Sequence, residues 1–167
     1  NTQTTLGTHA NTGSITNDSM AIGGNAYAVD KNNKGGCLAI GTNAYVENTD
    51  SIAIGDVAIN TGKGSIVIGG GGLTRDSGEA KAVVTGNGSI GMGQGVGVTG
   101  NHSIAMGAGA LTSGDNSIAL GYGTLVKENN VIGIGNRRMT QMADGTADTD
   151  GVNVKQLNAV KNSIKIY

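Results

Sequence analysis

Small and large apolar residues alternate along this chain in short, recurring bursts. The pattern Ser-[Ile/Met]-Ala-[Ile/Met/Leu]-Gly stands at residues 19–23 (SMAIG), 51–55 (SIAIG), 103–107 (SIAMG) and 117–121 (SIALG). Looser copies begin at Cys37, Ser65, Ser89 and Val131, and a degenerate one reads QTTLG at residues 3–7. The eight clear copies start at 19, 37, 51, 65, 89, 103, 117 and 131, and five of the seven gaps are 14 residues. Fourteen residues are therefore the repeating unit, and a fixed short period marks a solenoid.

Alternation with period two predicts a strand with two different faces. Ile52 and Ile54 share one face; Ser51, Ala53 and Gly55 share the other. The second half of each unit, as in Asn43-Ala44-Tyr45-Val46 and Gly109-Ala110-Leu111-Thr112, predicts a second, weaker strand. Gly, Asn and Asp fill the turns, where their tolerance of positive φ is needed. Two short strands and two tight turns make one coil of a flattened, two-sided parallel β-roll. Coils paired at strand spacing would stack roughly nine deep, to about 40–45 Å.

We assign the large face, Ile52 with Ile54 and their equivalents, to the roll interior, where each side chain is worth roughly 1.5–3 kcal/mol. The Ser/Ala/Gly face then packs against copies of itself in an oligomer. The alternation equally admits the converse, with the small face inside and the large face on an oligomer axis. Under the first assignment Cys37 would meet its copies at that axis as a reduced thiol packed like a small apolar residue. Ile54→Asp would put an unpaired charge into a dry interior.

Two departures from the period predict loops. Four residues are added after Ala28, and ten are added within 70–81, a stretch that carries Arg75, Asp76, Glu79 and Lys81. Insertions in repeat arrays emerge from turns and supply binding surface. Tyr27 and Tyr45 occupy the same repeat position and are expected to stack on successive coils. With the four charged residues of the insertion they form our candidate ligand-binding set, because exposed tyrosines make good contacts.

The period stops after Gly135. Asp148, Thr149 or Asp150 can cap a following helix. Leu157, Val160, Ile164 and Tyr167 then recur at spacings 3, 4 and 3, the seam of a coiled coil. We divide the chain into a β-roll at 1–135, a connecting segment at 136–156 and the start of a coiled coil at 157–167. Arg137 and Arg138 are expected to form interchain ion pairs with Asp144, Asp148 or Asp150.

Composition narrows the function. Of 167 residues 31 are Gly; there is no Pro, Trp or Phe, and only four Tyr, so an aromatic core is excluded. Gly without a three-residue period excludes collagen. A net charge of −1 gives no field for nucleic acid, and no run is long enough for a transmembrane helix. The chain opens with neither Met nor a secretory signal, as expected of a mature fragment. Gly69–Gly72 lacks the Lys-Ser/Thr of a phosphate loop. Asp144, Asp148 and Asp150 lack the ligand spacing and terminal Glu of a calcium loop. His9 and His102 stand apart, and no Ser-His-Asp or Cys-His set emerges. We expect no catalysis, no metal and no cofactor.

The SIAIG-type repeats resemble the head of YadA-like trimeric autotransporter adhesins, whose repeat is close to NSVAIG. Positions Arg137 to Leu157, with Ala143-Asp144-Gly145-Thr146 and Asp148-Thr149-Asp150-Gly151-Val152-Asn153-Val154-Lys155-Gln156-Leu157, resemble that family's neck, AGxxDTDAVNVxQL. Only Asn116-Ser117 keeps the full Asn-Ser pair, and Gly91 and Gly133 replace the repeat Ala. The resemblance implies an all-β fold: a homotrimer of left-handed parallel β-rolls ending in a neck clasp that uses Val152, Val154, Leu157, Val160 and Ile164. It also implies a bacterial outer-membrane adhesin at the cell surface, whose only membrane contact is a C-terminal anchor beyond this sequence. The expected partners are host matrix proteins such as collagen, fibronectin or laminin, host cells, and further copies in autoaggregation. A spacer role, with recognition elsewhere in the fibre, is the alternative.

Overall fold

The structure, a computed structural model, describes residues 3–13, 18–32, 34–71 and 81–164. It divides into two units, 1–135 and 136–167.

The first unit is a two-sided parallel β-roll. Among the described residues one sheet holds nine strands: β1 (Thr4–Leu6), β2 (Met20–Ile22), β4 (Cys37–Ile40), β6 (Ser51–Ile54), β8 (Ile66–Ile68), β10 (Ile90–Met92), β12 (Ile104–Met106), β14 (Ile118–Leu120) and β16 (Ile132–Gly133). The other holds seven: β3 (Tyr27–Ala28), β5 (Tyr45–Val46), β7 (Ile59–Asn60), β9 (Val83–Val84), β11 (Gly97–Val98), β13 (Leu111–Thr112) and β15 (Leu125–Val126). Strands pair in parallel with the equivalent strand of the next coil, so Ile52 lies beside Ile66 and Tyr27 beside Tyr45. The degenerate copy at residues 3–7 forms β1 and pairs with β2 in the same register. After the 70–81 insertion, β9 rejoins β7 and β11.

The interior reverses our first assignment of faces. Ala21, Ala39, Ala53, Ala105 and Ala119 are fully buried between the sheets, with Ser51, Ser65, Ser89, Ser103 and Ser117. Ile52 and Ile54 point outward and are only half-buried. The reason is space. Two sheets joined by tight turns approach so closely that interior positions admit Ser, Ala and Val, not Ile. At Gly91, where most coils have Ala, an added Cβ would lie 2.8 Å from Val84 and 3.2 Å from Val96. Val96 occupies a position held by Ala in several other coils, so Gly91 is the compensating loss of volume.

The buried serines are satisfied by a ladder. The Ser103 hydroxyl accepts the Ser117 backbone N–H (3.1 Å), and its single hydrogen is shared between the carbonyls of Asn101 (2.9 Å) and Gly114 (2.8 Å). Ser65, Ser89 and Ser117 repeat the arrangement. Cys37 stands in this ladder inside the roll, not at an oligomer axis. It donates Sγ–H to the Asn48 carbonyl (3.0 Å), and burial pushes its thiol up to about 11.

Close contact also fixes the turns. Gly41 (φ +131°) packs on the next coil so tightly that a Cβ would sit 2.3 Å from the Gly55 carbonyl oxygen; Gly55 does the same against Gly69 at 2.2 Å. The first insertion folds around one carboxylate. Buried Asp30 accepts Asn32 N–H (2.9 Å) and the Thr49 hydroxyl (2.9 Å) on Oδ1, and Lys34 and Gly35 N–H (2.6 and 2.9 Å) on Oδ2. Burial alone would raise its pKa; the hydrogen bonds outweigh that and hold it below the usual 3.8.

In the second unit, α1 (Val154–Ser163) follows an irregular segment. Asn153 caps it, not Asp148, Thr149 or Asp150, in a reciprocal box with Gln156. Asp150 is occupied instead by the backbone N–H groups of Thr146 and Ala147 (both 2.9 Å).

Two outcomes test this account of the interior. Ser103→Ala strands the Gly114 carbonyl and the Ser117 N–H and should cost roughly 1–3 kcal/mol in urea unfolding; an unchanged midpoint would contradict the ladder. Asp30 contributes stability above its unfolded pKa and loses it as pH falls through the lower folded value. The urea midpoint of the parent should therefore drop between about pH 7 and about pH 3 more steeply than that of Asp30→Asn, which is weaker at neutral pH.

Candidate functional site

Turning the small residues inward leaves the large ones outside. On the first sheet two parallel rows of Ile, Leu and Met run the length of the roll, in register from coil to coil. Ile68, Met92, Met106 and Leu120 in the second row are 37%, 36%, 43% and 37% exposed. A single roll therefore presents a continuous apolar face, which is the mark of an interaction surface.

The second sheet carries its own outward column: Tyr27, Tyr45, Ile59, Val83, Gly97, Leu111 and Leu125. Because β3 and β5 pair in register, the Tyr27 and Tyr45 rings stack, with centroids 4.9 Å apart and planes 7° from parallel. The Tyr45 hydroxyl donates to the Glu47 carboxylate. Lys31, supplied by the Asp30-organised insertion, pairs with the same carboxylate at 2.7 Å. The lysine and then the tyrosine hydroxyl hold Glu47 below the usual carboxyl range, and Glu47 in turn raises Lys31.

Beside the tyrosines lie the turn residues Asn25, Asn43 and Val57. The Asn25 amide donates to the Asn43 side-chain oxygen at 3.4 Å. Val57 has φ +53°, an uncommon conformation for a β-branched residue, at a position taken by Asn25, Asn43, Gly95 and Gly109 on other coils. Together with Tyr27, Tyr45 and Ile59 these residues line a concavity of about 620 Å³.

The structure thus brings Tyr27 and Tyr45 together. Lys81 is half-buried just before β9. Arg75, Asp76 and Glu79 lie outside the described residues, as does Tyr167. Lys31, Glu47, Asn25, Asn43 and Val57 were missed from sequence. A signal for two of them existed, since Asn-Ala-Tyr occurs twice, at 25–27 and 43–45. His9 and His102 both occupy positive-φ turn positions at the surface.

In the second unit Asp144 pairs with Lys155 (2.7 Å) and accepts the Asn153 amide (2.8 Å). Gln156 clamps both backbone groups of Gly145, at 3.0 Å and 2.9 Å. Arg137, Arg138 and Asp148 are exposed. Val152, Val154, Leu157, Val160 and Ile164 are all largely exposed, and no residue of α1 is buried. Among the described residues no helix is long and apolar enough to cross a membrane, and no cluster of His, Cys, Asp and Glu is arranged to hold a metal.

Comparison with known proteins gives a consistent result. The family model described as the YadA head domain repeat matches residues 17–32, 38–58 and 99–124. The model described as the coiled stalk of trimeric autotransporter adhesin matches residues 138–167. Together they fall on more than half of the chain. Among solved structures, the collagen-binding domain of the Yersinia adhesin YadA is similar with a TM-score of 0.58 and 24% identity, over 96% of this chain and 87% of that one. At that identity the likeness speaks to the fold. No curated protein sequence matches the chain. Head repeats followed by stalk, on a parallel β-roll of fourteen-residue coils, establish that the chain belongs to the trimeric autotransporter adhesins, as a YadA-like head with its neck.

Proposed function

We propose that three copies of this chain assemble side by side into the head of a bacterial surface adhesin, displayed from the outer membrane. The observation that carries this reading is the open apolar face of the first sheet, matched by an α1 whose apolar residues are all exposed. Neither surface is stable in water alone, and both are closed by parallel copies: the sheets around an axis, the helices as a three-stranded coil. In that arrangement Ile52, Ile54 and their equivalents line the interface. Val152, Val154, Leu157, Val160 and Ile164 tighten the neck, and Arg137 and Arg138 reach Asp144, Asp148 or Asp150 of a neighbouring copy.

The outward side of such a head attaches to host matrix or cells and to other heads. The similar structure is that of a collagen-binding domain, which makes collagen the first ligand to try, ahead of fibronectin and laminin. The contact region is the concavity at Tyr27 and Tyr45 together with the insertion bearing Arg75, Asp76, Glu79 and Lys81. Repetition across three chains turns weak contacts into avid attachment.

Sedimentation equilibrium should give a mass near three chains. Ile54→Asp should reduce it to one chain while leaving the circular dichroism of the roll intact; a monomeric parent, or a trimeric variant, would refute the interface. In solid-phase assays Tyr45→Ala should weaken collagen binding by about fivefold or more with the trimer preserved. Equal binding by parent and variant would remove the tyrosines from the contact region.

A further inference from the structure

We propose that Tyr27 and Tyr45 form an oxidative cross-linking site, coupled to a dityrosine by a one-electron oxidant such as a peroxidase acting on hydrogen peroxide. The inference is independent of any ligand the head binds.

Four features of the site support it. The rings sit on hydrogen-bonded parallel strands in register, so each ring atom faces its equivalent across about one strand spacing. At 4.9 Å between centroids and 7° between planes, the ring carbons next to the two phenol oxygens are neighbours, and rotation about the side-chain torsions can join them. Both rings are half-buried and border an open concavity, which holds them in place while leaving a path to solvent. The Tyr45 hydroxyl already donates to Glu47, a carboxylate kept ionised by Lys31. An oxidised phenol is so strong an acid that it releases its proton to any carboxylate bonded to it.

Each phenol loses one electron to the oxidant and its hydroxyl proton, that of Tyr45 passing to Glu47. The two phenoxyl radicals form one carbon–carbon bond between ring positions ortho to oxygen. The two ortho C–H bonds then break, and those protons move to the oxygens and restore the phenols. Two electrons and two protons leave the protein in all, and one hydrogen peroxide becomes two waters. The product ties coil to coil on either side of the insertion that opens at Val29.

The experiment treats the full chain with a haem peroxidase and limiting hydrogen peroxide. A parallel run uses photogenerated carbonate radical anion, two per cross-link, so that exclusion of a bulky enzyme is not read as failure. Trypsin would release residues 1–31 and 35–63, each with one tyrosine. The expected product is these two peptides joined, lighter than their sum by two hydrogens, with blue dityrosine fluorescence, recovered from the band of a single chain on a denaturing gel. Tyr27→Phe and Tyr45→Phe should each abolish it, while Glu47→Gln slows it several-fold. Tyr122, 78% exposed, reports whether oxidant was delivered. Oxidation at Tyr122 with no 27–45 product in either run, or coupling only between chains, would overturn the proposal.

Discussion

The narrowness of the roll governs the rest of this molecule. Fourteen residues must supply two strands and two turns, so the sheets close on a gap that holds Ser, Ala, Val and little else. The tightness at Gly91, where one methyl would collide with Val84, shows how little slack remains. An interior of small side chains cannot supply the apolar burial that stabilises an ordinary domain. Part of its role passes to hydrogen bonds: each serine hydroxyl joins its own turn to the backbone of the next coil. On the outside, Ile, Leu and Met form an open apolar face. Inward smallness and outward hydrophobicity are thus one fact, and the proposed assembly rests on both.

The candidate site is a local exception within this regularity. Downstream the turn column is Gly95, Gly109 and Gly123, which offer no side chain. Only in the earlier coils do Asn25, Asn43, Val57 and the tyrosine pair build relief above the sheet. The insertion begun at Val29 supports that relief. Asp30 gathers its own loop with buried hydrogen bonds, and the neighbouring Lys31 thereby reaches Glu47 and, through it, Tyr45. A buried carboxylate that shapes a loop, and a half-buried ion pair that the loop delivers, form one chain of cause.

Much of this was legible in the sequence. A period of fourteen with strict alternation specified the strands, their parallel pairing and the places where loops leave the roll. Stacking of Tyr27 on Tyr45 followed from their shared repeat position. The choice of interior face did not follow, because the expectation that Ile fills a core presumes a core wide enough to take it. Period-two alternation identifies two faces but carries no measure of the distance between sheets. The helix cap was misplaced for a different reason. Asp148, Thr149, Asp150 and Asn153 are all competent caps, and only the Asp150 turn with Thr146 and Ala147 removes one of them from contention. Lys31 and Glu47 were out of reach, since they meet only through the folded insertion.

The glycine contacts carry a consequence for how such heads change over time. Gly41 rests on Gly55, and Gly55 on Gly69, through the same backbone-to-backbone touch. Every such joint is interchangeable with its neighbours. A gene that gains or loses one fourteen-codon block therefore rejoins two surfaces that already fit, and the head grows or shrinks by one step of about 4.8 Å. A single side chain placed at one of those glycines breaks a joint that no adjacent coil can replace. Length is thus the readily variable trait of this architecture, and the joints themselves are the fixed one.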